Sequence, residues 1–350
     1  MSMRAAVFRE PRTIEVAERP DPQIKEPTDA IVRVLLACVC GSDLWFYRGE
    51  SPYEPGVPVG HEFIGLVEEI GSDVHTLAKG DLVVAPFAYC DGTCPHCRNG
   101  ITTSCVNGGV WGLRGNDGGQ GEAVRSPLAD GTLVRVPGSG HSDQTLRSLL
   151  TLSDVMATGH HAAVCAGVRP GSVVAVVGDG AVGLCAVIAA RRLGASRVIA
   201  LSRHGDRQKL AQTFGATEII EERGDEATKA VLDSTDGVGV DAALECVGTG
   251  LAMTTAFDIA RPGGTVGFVG VPHGVELPVG TMFSRNIGAR GGGAPVRAPH
   301  PRAARRRSGR SHRSGPRLRL RDEPQRHRRS IRRDGRTARD QVAGAYDVAT

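Results

Sequence analysis

No stretch of this sequence approaches the roughly 20 consecutive apolar residues that a membrane span requires. Its first eight residues lack the basic stretch, apolar stretch and cleavage site of a secretory signal. Together these lacks predict a cytoplasmic protein with no membrane partner. No internal repeat is present. Hydrophobic residues at 40% and charged residues at 23% exclude a disordered or collagen-like chain. Lysine is absent from residues 298–350, which hold sixteen arginines and five acids, a net charge of +11. The preceding residues therefore carry −7 within a total of +4, so a mildly acidic body is joined to a basic tail.

A chain of 350 residues is long for one core and comfortable for two domains. Residues 1–150 read as short strands: an apolar run at 31–37, alternation around Gly65 at 63–70, and Leu82-Val83-Val84. Gly- and Pro-rich turns separate them, as at 55–58 and 115–119, and the pattern predicts an all-β, barrel-like domain. From 151 to 297 the pattern changes. Buried-type strands at 172–177, 197–201, 240–246 and 265–269, with a helix-length apolar run at 181–193, predict βαβ units around a parallel sheet. The fold class is thus α/β with an all-β part.

Gly178-Asp179-Gly180-Ala181-Val182-Gly183 leaves one of those strands and opens the helix. Glycines there allow a tight turn and a close backbone approach, so free N–H groups at a helix start can hold a pyrophosphate. Gly178, Gly180, Ala181, Val182 and Gly183 are therefore candidate cofactor residues. The next strand lacks the terminal acid that would bind the ribose 2′-hydroxyl of NAD and ends instead in Leu201-Ser202-Arg203. A guanidinium there pairs with a 2′-phosphate, which favours NADP over NAD. Arg203 stacked on the adenine, or simply solvated, is the rival reading.

Nine cysteines in a chain of this kind point to metal rather than disulfides, because four fall between Cys90 and Cys105. Cys94, Cys97 and Cys105 have the spacing of a closed tetrahedral zinc site. The first ligand is open between Cys90 and Asp91; Cys90 is preferred because thiolate is the better zinc donor, and His96 is a weaker candidate. Three dispersed pieces complete the motifs: Cys40-Gly41-Ser42-Asp43, Gly60-His61-Glu62 and Ser153-Asp154.

In this order the motifs resemble the zinc-dependent medium-chain dehydrogenase/reductase family, alcohol dehydrogenase type, over residues 3–297. The resemblance implies a GroES-like β-barrel catalytic domain at 1–150 and a Rossmann domain at 151–297, meeting at an interdomain cleft. It implies two zinc ions per chain, the catalytic one held by Cys40, His61 and Asp154, with Glu62 able to swing onto it. Asp154 stands where many members have cysteine. Ser42 corresponds to the hydroxyl that takes the substrate's proton, and Asp43 to the carboxylate that orients the ligand histidine. Val247, Val269 and Val271 fall on stretches that pass near the cofactor, joining Ser202 and Arg203. The implied reaction moves a hydride between a small alcohol and its aldehyde or ketone, with NADP or NAD. A homodimer or homotetramer through residues 286–291 is also implied. One departure is Trp45, where the family often has a proton-relaying histidine. Trp45 and Trp111 either line the substrate pocket or sit in the core.

After Arg297 the resemblance stops. Back-translating the tail with one base dropped recovers, in order, an amphipathic helix, a Tyr-rich helix and an Ile-Lys-Ser-Leu-Val strand, which the family would supply. A shifted frame near Ala298 is therefore expected, with residues 298–350 disordered. A catalytically impaired zinc- and cofactor-binding protein is the alternative function, and a nucleic-acid-binding tail is disfavoured.

Overall fold

The computed structural model describes residues 2–113 and 115–297. Its contacts divide the chain into two units, Met1–Ser153 with the chain from Pro295, and Asp154–Ala294. The disorder and shifted frame expected for residues 298–350 lie outside the described residues.

The first unit opens with a hairpin of β1 (Ser2–Glu10) and β2 (Thr13–Pro20). There follow β3 (Ala30–Cys38), α1 (Asp43–Arg48), β4 (Glu62–Ile70), β5 (Leu82–Ala85) and β6 (Ala88–Tyr89). After these come α2 (Pro95–Arg98), β7 (Gly109–Val110), β8 (Ala123–Ser126), α3 (Ala129–Thr132), β9 (Val134–Arg135) and α4 (Asp143–Leu150). An antiparallel sheet of order β8-β3-β4-β5-β9 forms the body, and β6 pairs with β7. Gly65 explains the break in the β4 alternation. A Cβ there would lie 2.2 Å from the Arg33 carbonyl on β3, so only glycine lets the two strands close.

Val32, Phe63, Val83 and Leu133 fill this unit's core around Trp111. Trp111 is 2% exposed, meets Phe63 edge-on at 5.0 Å and donates its indole N–H to the Pro86 carbonyl at 2.7 Å. Both its apolar body and its one donor are satisfied, which makes it a core residue. Trp45, on α1, is half-buried.

The second unit runs α5 (Val155–Cys165), β10 (Val173–Val177), α6 (Ala181–Arg192), β11 (Arg197–Leu201) and α7 (Gly205–Phe214). Then come β12 (Glu218–Ile220), α8 (Asp225–Ser234), β13 (Val240–Glu245), α9 (Gly250–Ile259), β14 (Ala260–Phe268), α10 (Val279–Arg285) and β15 (Gly288–Gly291). Its six strands are all parallel, in the order β12-β11-β10-β13-β14-β15. Strand periodicity splits the core into two layers. Val174, Val176, Val198 and Leu244 pack with Ala162, Ala163, Leu184 and Val187 from α5 and α6. Ala175, Val177, Ile199 and Ala243 pack with Val231, Met253 and Phe257 from α8 and α9. A sheet buried on both faces needs the continuous apolar strands seen in the sequence. Its order reverses about β10, so the turn leaving β10 is where such sheets bind ligands.

Candidate zinc and dinucleotide sites

Ser42 is the residue before α1, and Asp43 is its first residue. Asp43 is 6% exposed; one carboxylate oxygen accepts the Cys40 N–H at 2.9 Å and the other lies 3.2 Å from His61 Nδ1. An ionised carboxylate only accepts, so Nδ1 carries the proton and the Nε2 lone pair is left for a metal. Ser42 Oγ stands 3.4 Å from that Nε2. His61 enters β4 through Gly60, whose φ of +91° and contact with Gln120 leave no room for a Cβ.

Glu62 opens β4 and is 2% exposed; Cys38, at the end of β3, donates its thiol to Glu62 Oε2 at 2.9 Å. Burial, then the Glu62 carboxylate and Cys40, push the Cys38 thiol far up, so it remains a donor. Asp154 directly follows Ser153, whose carbonyl accepts the Phe87 N–H at 2.9 Å. Its carboxylate is 7% exposed and accepts the Thr158 hydroxyl at 2.5 Å. One ligand atom from each of Cys40, His61, Glu62 and Asp154 lies within 4.8 Å of the others. Two buried carboxylates and a thiolate this close repel one another unless a cation joins them. This donor set fits zinc with one position left to exchange.

The second cluster is closed. Asp91, Cys94, Cys97 and Cys105 bring one ligand atom each within 4.8 Å of the others. This set contains Asp91 rather than Cys90, the residue preferred from the sequence. Cys90 turns inward, donates its thiol to the Gly131 carbonyl at 3.1 Å and is 1% exposed. Asp91 accepts the N–H groups of Thr93 at 2.7 Å and Cys94 at 2.8 Å, and the Asn107 amide at 2.8 Å. Burial works to raise its pKa, but these donors outweigh it and hold the carboxyl well below the usual range. His96 on α2 is exposed and outside the set. Three thiols and one carboxylate suit a tetrahedral structural zinc.

In the second unit, Gly178 leaves β10 at φ +114°, and a Cβ on Gly183 would lie 2.0 Å from the Gly178 carbonyl. Both glycines are thus required by the turn. Gly180 caps α6 with no side chain in the way, so the helix start presents its N–H groups openly. Beside it lies a cavity of about 330 Å³ bordered by Gly178, Gly180, Ser202, Arg203 and Val247. Ala181, Val182, Gly183, Val269 and Val271 do not border it. Buried Glu245 shapes the Val247 segment by accepting the N–H groups of Val247 and Gly248 at 2.8 and 2.7 Å. Sequence reasoning missed Thr158, Asn107 and, inside the glycine turn, Asp179; a missing strand-end acid is the signal that could have led to Asp179.

An oxidoreductase is the class these features define, with Cys40, His61, Glu62 and Asp154 as candidate metal ligands and a dinucleotide turn after β10. The alcohol dehydrogenase GroES-like domain family matches residues 26–138, and the zinc-binding dehydrogenase family matches residues 181–293. Among similar chains is the medium chain reductase/dehydrogenase ucsI of Acremonium sp, 39% identical over 279 residues, 77% of this chain and 94% of that one. Zinc-type alcohol dehydrogenase B of Aspergillus flavus is 37% identical over 86% of this chain and 71% of its own. Alcohol dehydrogenase TADH from Thermus sp. ATN1 superposes with a TM-score of 0.76 at 37% identity, covering 84% of this chain and 86% of that chain. A Sinorhizobium meliloti 1021 zinc-binding dehydrogenase bound to NADP gives 0.71 at 29% identity, covering 84% of each. The chain belongs to the zinc-dependent medium-chain dehydrogenase family. It is a zinc-dependent oxidoreductase of the alcohol dehydrogenase type.

Proposed function

We propose that this chain interconverts a small alcohol and its aldehyde or ketone, holding two zinc ions and favouring NADP over NAD. The observation that carries the reading is the set of half-buried Cys40 with buried His61, Glu62 and Asp154, whose ligand atoms lie within 4.8 Å of one another. Zinc supplies Lewis acidity to the substrate oxygen, and the nicotinamide takes or gives the hydride. Asp43 holds the imidazole of His61 in the ligating tautomer. Ser42, beside His61 Nε2, would take the substrate's hydroxyl proton in oxidation while passing its own on to a cofactor ribose hydroxyl or water, and the reverse in reduction. Trp45 offers only an N–H donor, so it cannot accept that proton onward. Glu62, anchored by the Cys38 thiol, would supply a carboxylate to the metal when substrate is absent.

Asp91, Cys94, Cys97 and Cys105 hold the second zinc, which braces the loop from 91 to 105. The glycine turn and α6 receive the pyrophosphate, Arg203 pairs with a 2′-phosphate, and Val247 borders the adenosine cavity. Val269 and Val271 belong to the segment that approaches the nicotinamide. β15 is an edge strand and Phe283 nearby is 87% exposed, which supports a homo-oligomer through that edge. None of the nine cysteines is in a disulfide, as suits a reducing cytoplasm. Among the described residues no helix is long and apolar enough to cross a membrane.

The test is cofactor-dependent oxidation of a panel of primary and secondary alcohols by the purified, zinc-loaded chain. Turnover with kcat/KM higher for NADP than NAD is expected. Zinc-loaded protein that binds nucleotide yet turns over no alcohol contradicts the reading.

A further inference from the structure

Ser202 directly follows β11, where an acid would hold the ribose of NAD, but the carboxylate is not missing from the space around it. Asp179, from the glycine turn, reaches Ser202, accepting its hydroxyl at 3.0 Å on one oxygen. The other oxygen faces Arg207 Nη1 at 3.0 Å, and the Asp179 side chain is 12% exposed. Burial favours the neutral form of Asp179, but hydrogen bonding and charge from Arg207, with help from Ser202 and His204, win and keep it ionised. Asp179, Ser202 and Arg207 border the cavity beside the turn.

The charge around that cavity is balanced. Arg203, Arg207 and Arg223 border it, and so do Asp179, Glu221 and Glu222. A cavity built only for a 2′-phosphate dianion would carry an excess of guanidinium groups. Arg207 is moreover already engaged by Asp179, which leaves Arg203 less help than a count of arginines suggests.

We infer that Asp179 takes over the duty of the absent strand-end acid: it accepts a ribose hydroxyl of NAD and opposes a 2′-phosphate. This rests on reading the cavity as the adenosine site. Arg203 and Asp179 then serve alternative cofactors, so the preference for NADP is small and both are used. A carboxylate buried beside the ribose repels a dianion whatever its ion partner, because pairing with Arg207 reduces its charge without removing it.

Two ligands that differ only in the 2′-phosphate, 5′-AMP and adenosine 2′,5′-bisphosphate, isolate the effect in titration calorimetry of the full chain. The wild type should bind both, with affinities within about tenfold of each other. Asp179→Asn should strengthen the bisphosphate about tenfold and weaken 5′-AMP several-fold. Asp179→Ser makes the same charge change and should move the ratio the same way, so the test does not hang on one replacement folding. Asp179→Glu keeps the charge and should hold the ratio near the wild-type value. Equal shifts for both ligands in the charge-removing variants, or a weakened bisphosphate, overturn the assignment. A wild type that binds neither ligand overturns instead the reading of the cavity.

Discussion

The two candidate metal clusters differ in how far the chain travels to build them. Asp91, Cys94, Cys97 and Cys105 come from one loop, and Cys94 is also the cap of α2, accepting the Cys97 N–H. Cys40, His61, Glu62 and Asp154 come instead from the exit of β3, the entry of β4 and the start of α5. A loop cluster can organise around its ion with little help, and its ion stabilises the fold directly. A dispersed cluster exists only after the strands have closed, so the fold holds its ligands and leaves a coordination position for chemistry. The partners around each cluster follow the same division. Asp91 is oriented by backbone N–H groups two and three residues away, whereas His61 is oriented by Asp43 on another element.

Breaking the dispersed cluster should have the larger functional effect. Cys40→Ala should lower kcat by about a thousandfold or more, because the Lewis acid is lost, while thermal unfolding shifts only a few degrees. Cys97→Ala should do the reverse. Its melting temperature should fall well below that of Cys40→Ala, by about 10 °C if the loop ion contributes a few kcal/mol. Comparable losses of stability in both variants would erase the contrast.

A finer pair concerns the first loop ligand. Asp91→Asn should weaken zinc retention against a chelator, whereas Cys90→Ser should leave retention unchanged and cost only packing near Gly131. Asp43→Asn should reduce zinc affinity or turnover by about 10- to 100-fold, the usual effect of losing a carboxylate behind a ligand histidine. Thr158→Val should have the smallest effect. It removes the hydroxyl that fixes Asp154 and should lower kcat several-fold, which steady-state kinetics resolves if zinc content is held equal.

Much of the second unit was legible because its signals are local and unidirectional. The strand at 197–201 and the helix from Ala181 follow from apolar runs that must be buried on both faces. β14 begins at Ala260, earlier than the expected 265, because the chain enters the sheet through an irregular stretch opposite Val240 and Ala242. In the first unit β6 and β7 span two residues each, too few to show any period.

Whether Cys90 or Asp91 faces the loop cluster depends on direction, which spacing does not encode. Adjacent residues leave an extended backbone on opposite sides, and the Gly131 carbonyl claims the thiol. Trp111 was ambiguous for a related reason, since only the position of the Pro86 carbonyl tells a core indole from a pocket one. Asp179 was hidden because the second position of a glycine turn carries no side-chain requirement of its own. Its contact with Ser202 appears only once β11 is laid beside that turn.

Metal content of purified Asp154→Ala, set against wild type, probes the dispersed cluster most directly. The wild type should hold two zinc ions per chain; the variant should hold one, resistant to mild chelation in the Cys94–Cys97–Cys105 loop, with an unchanged folded content by circular dichroism. Two tightly held ions in the folded variant would mean that Asp154 binds none, and the assembly of Cys40, His61 and Asp154 around a shared ion would be wrong.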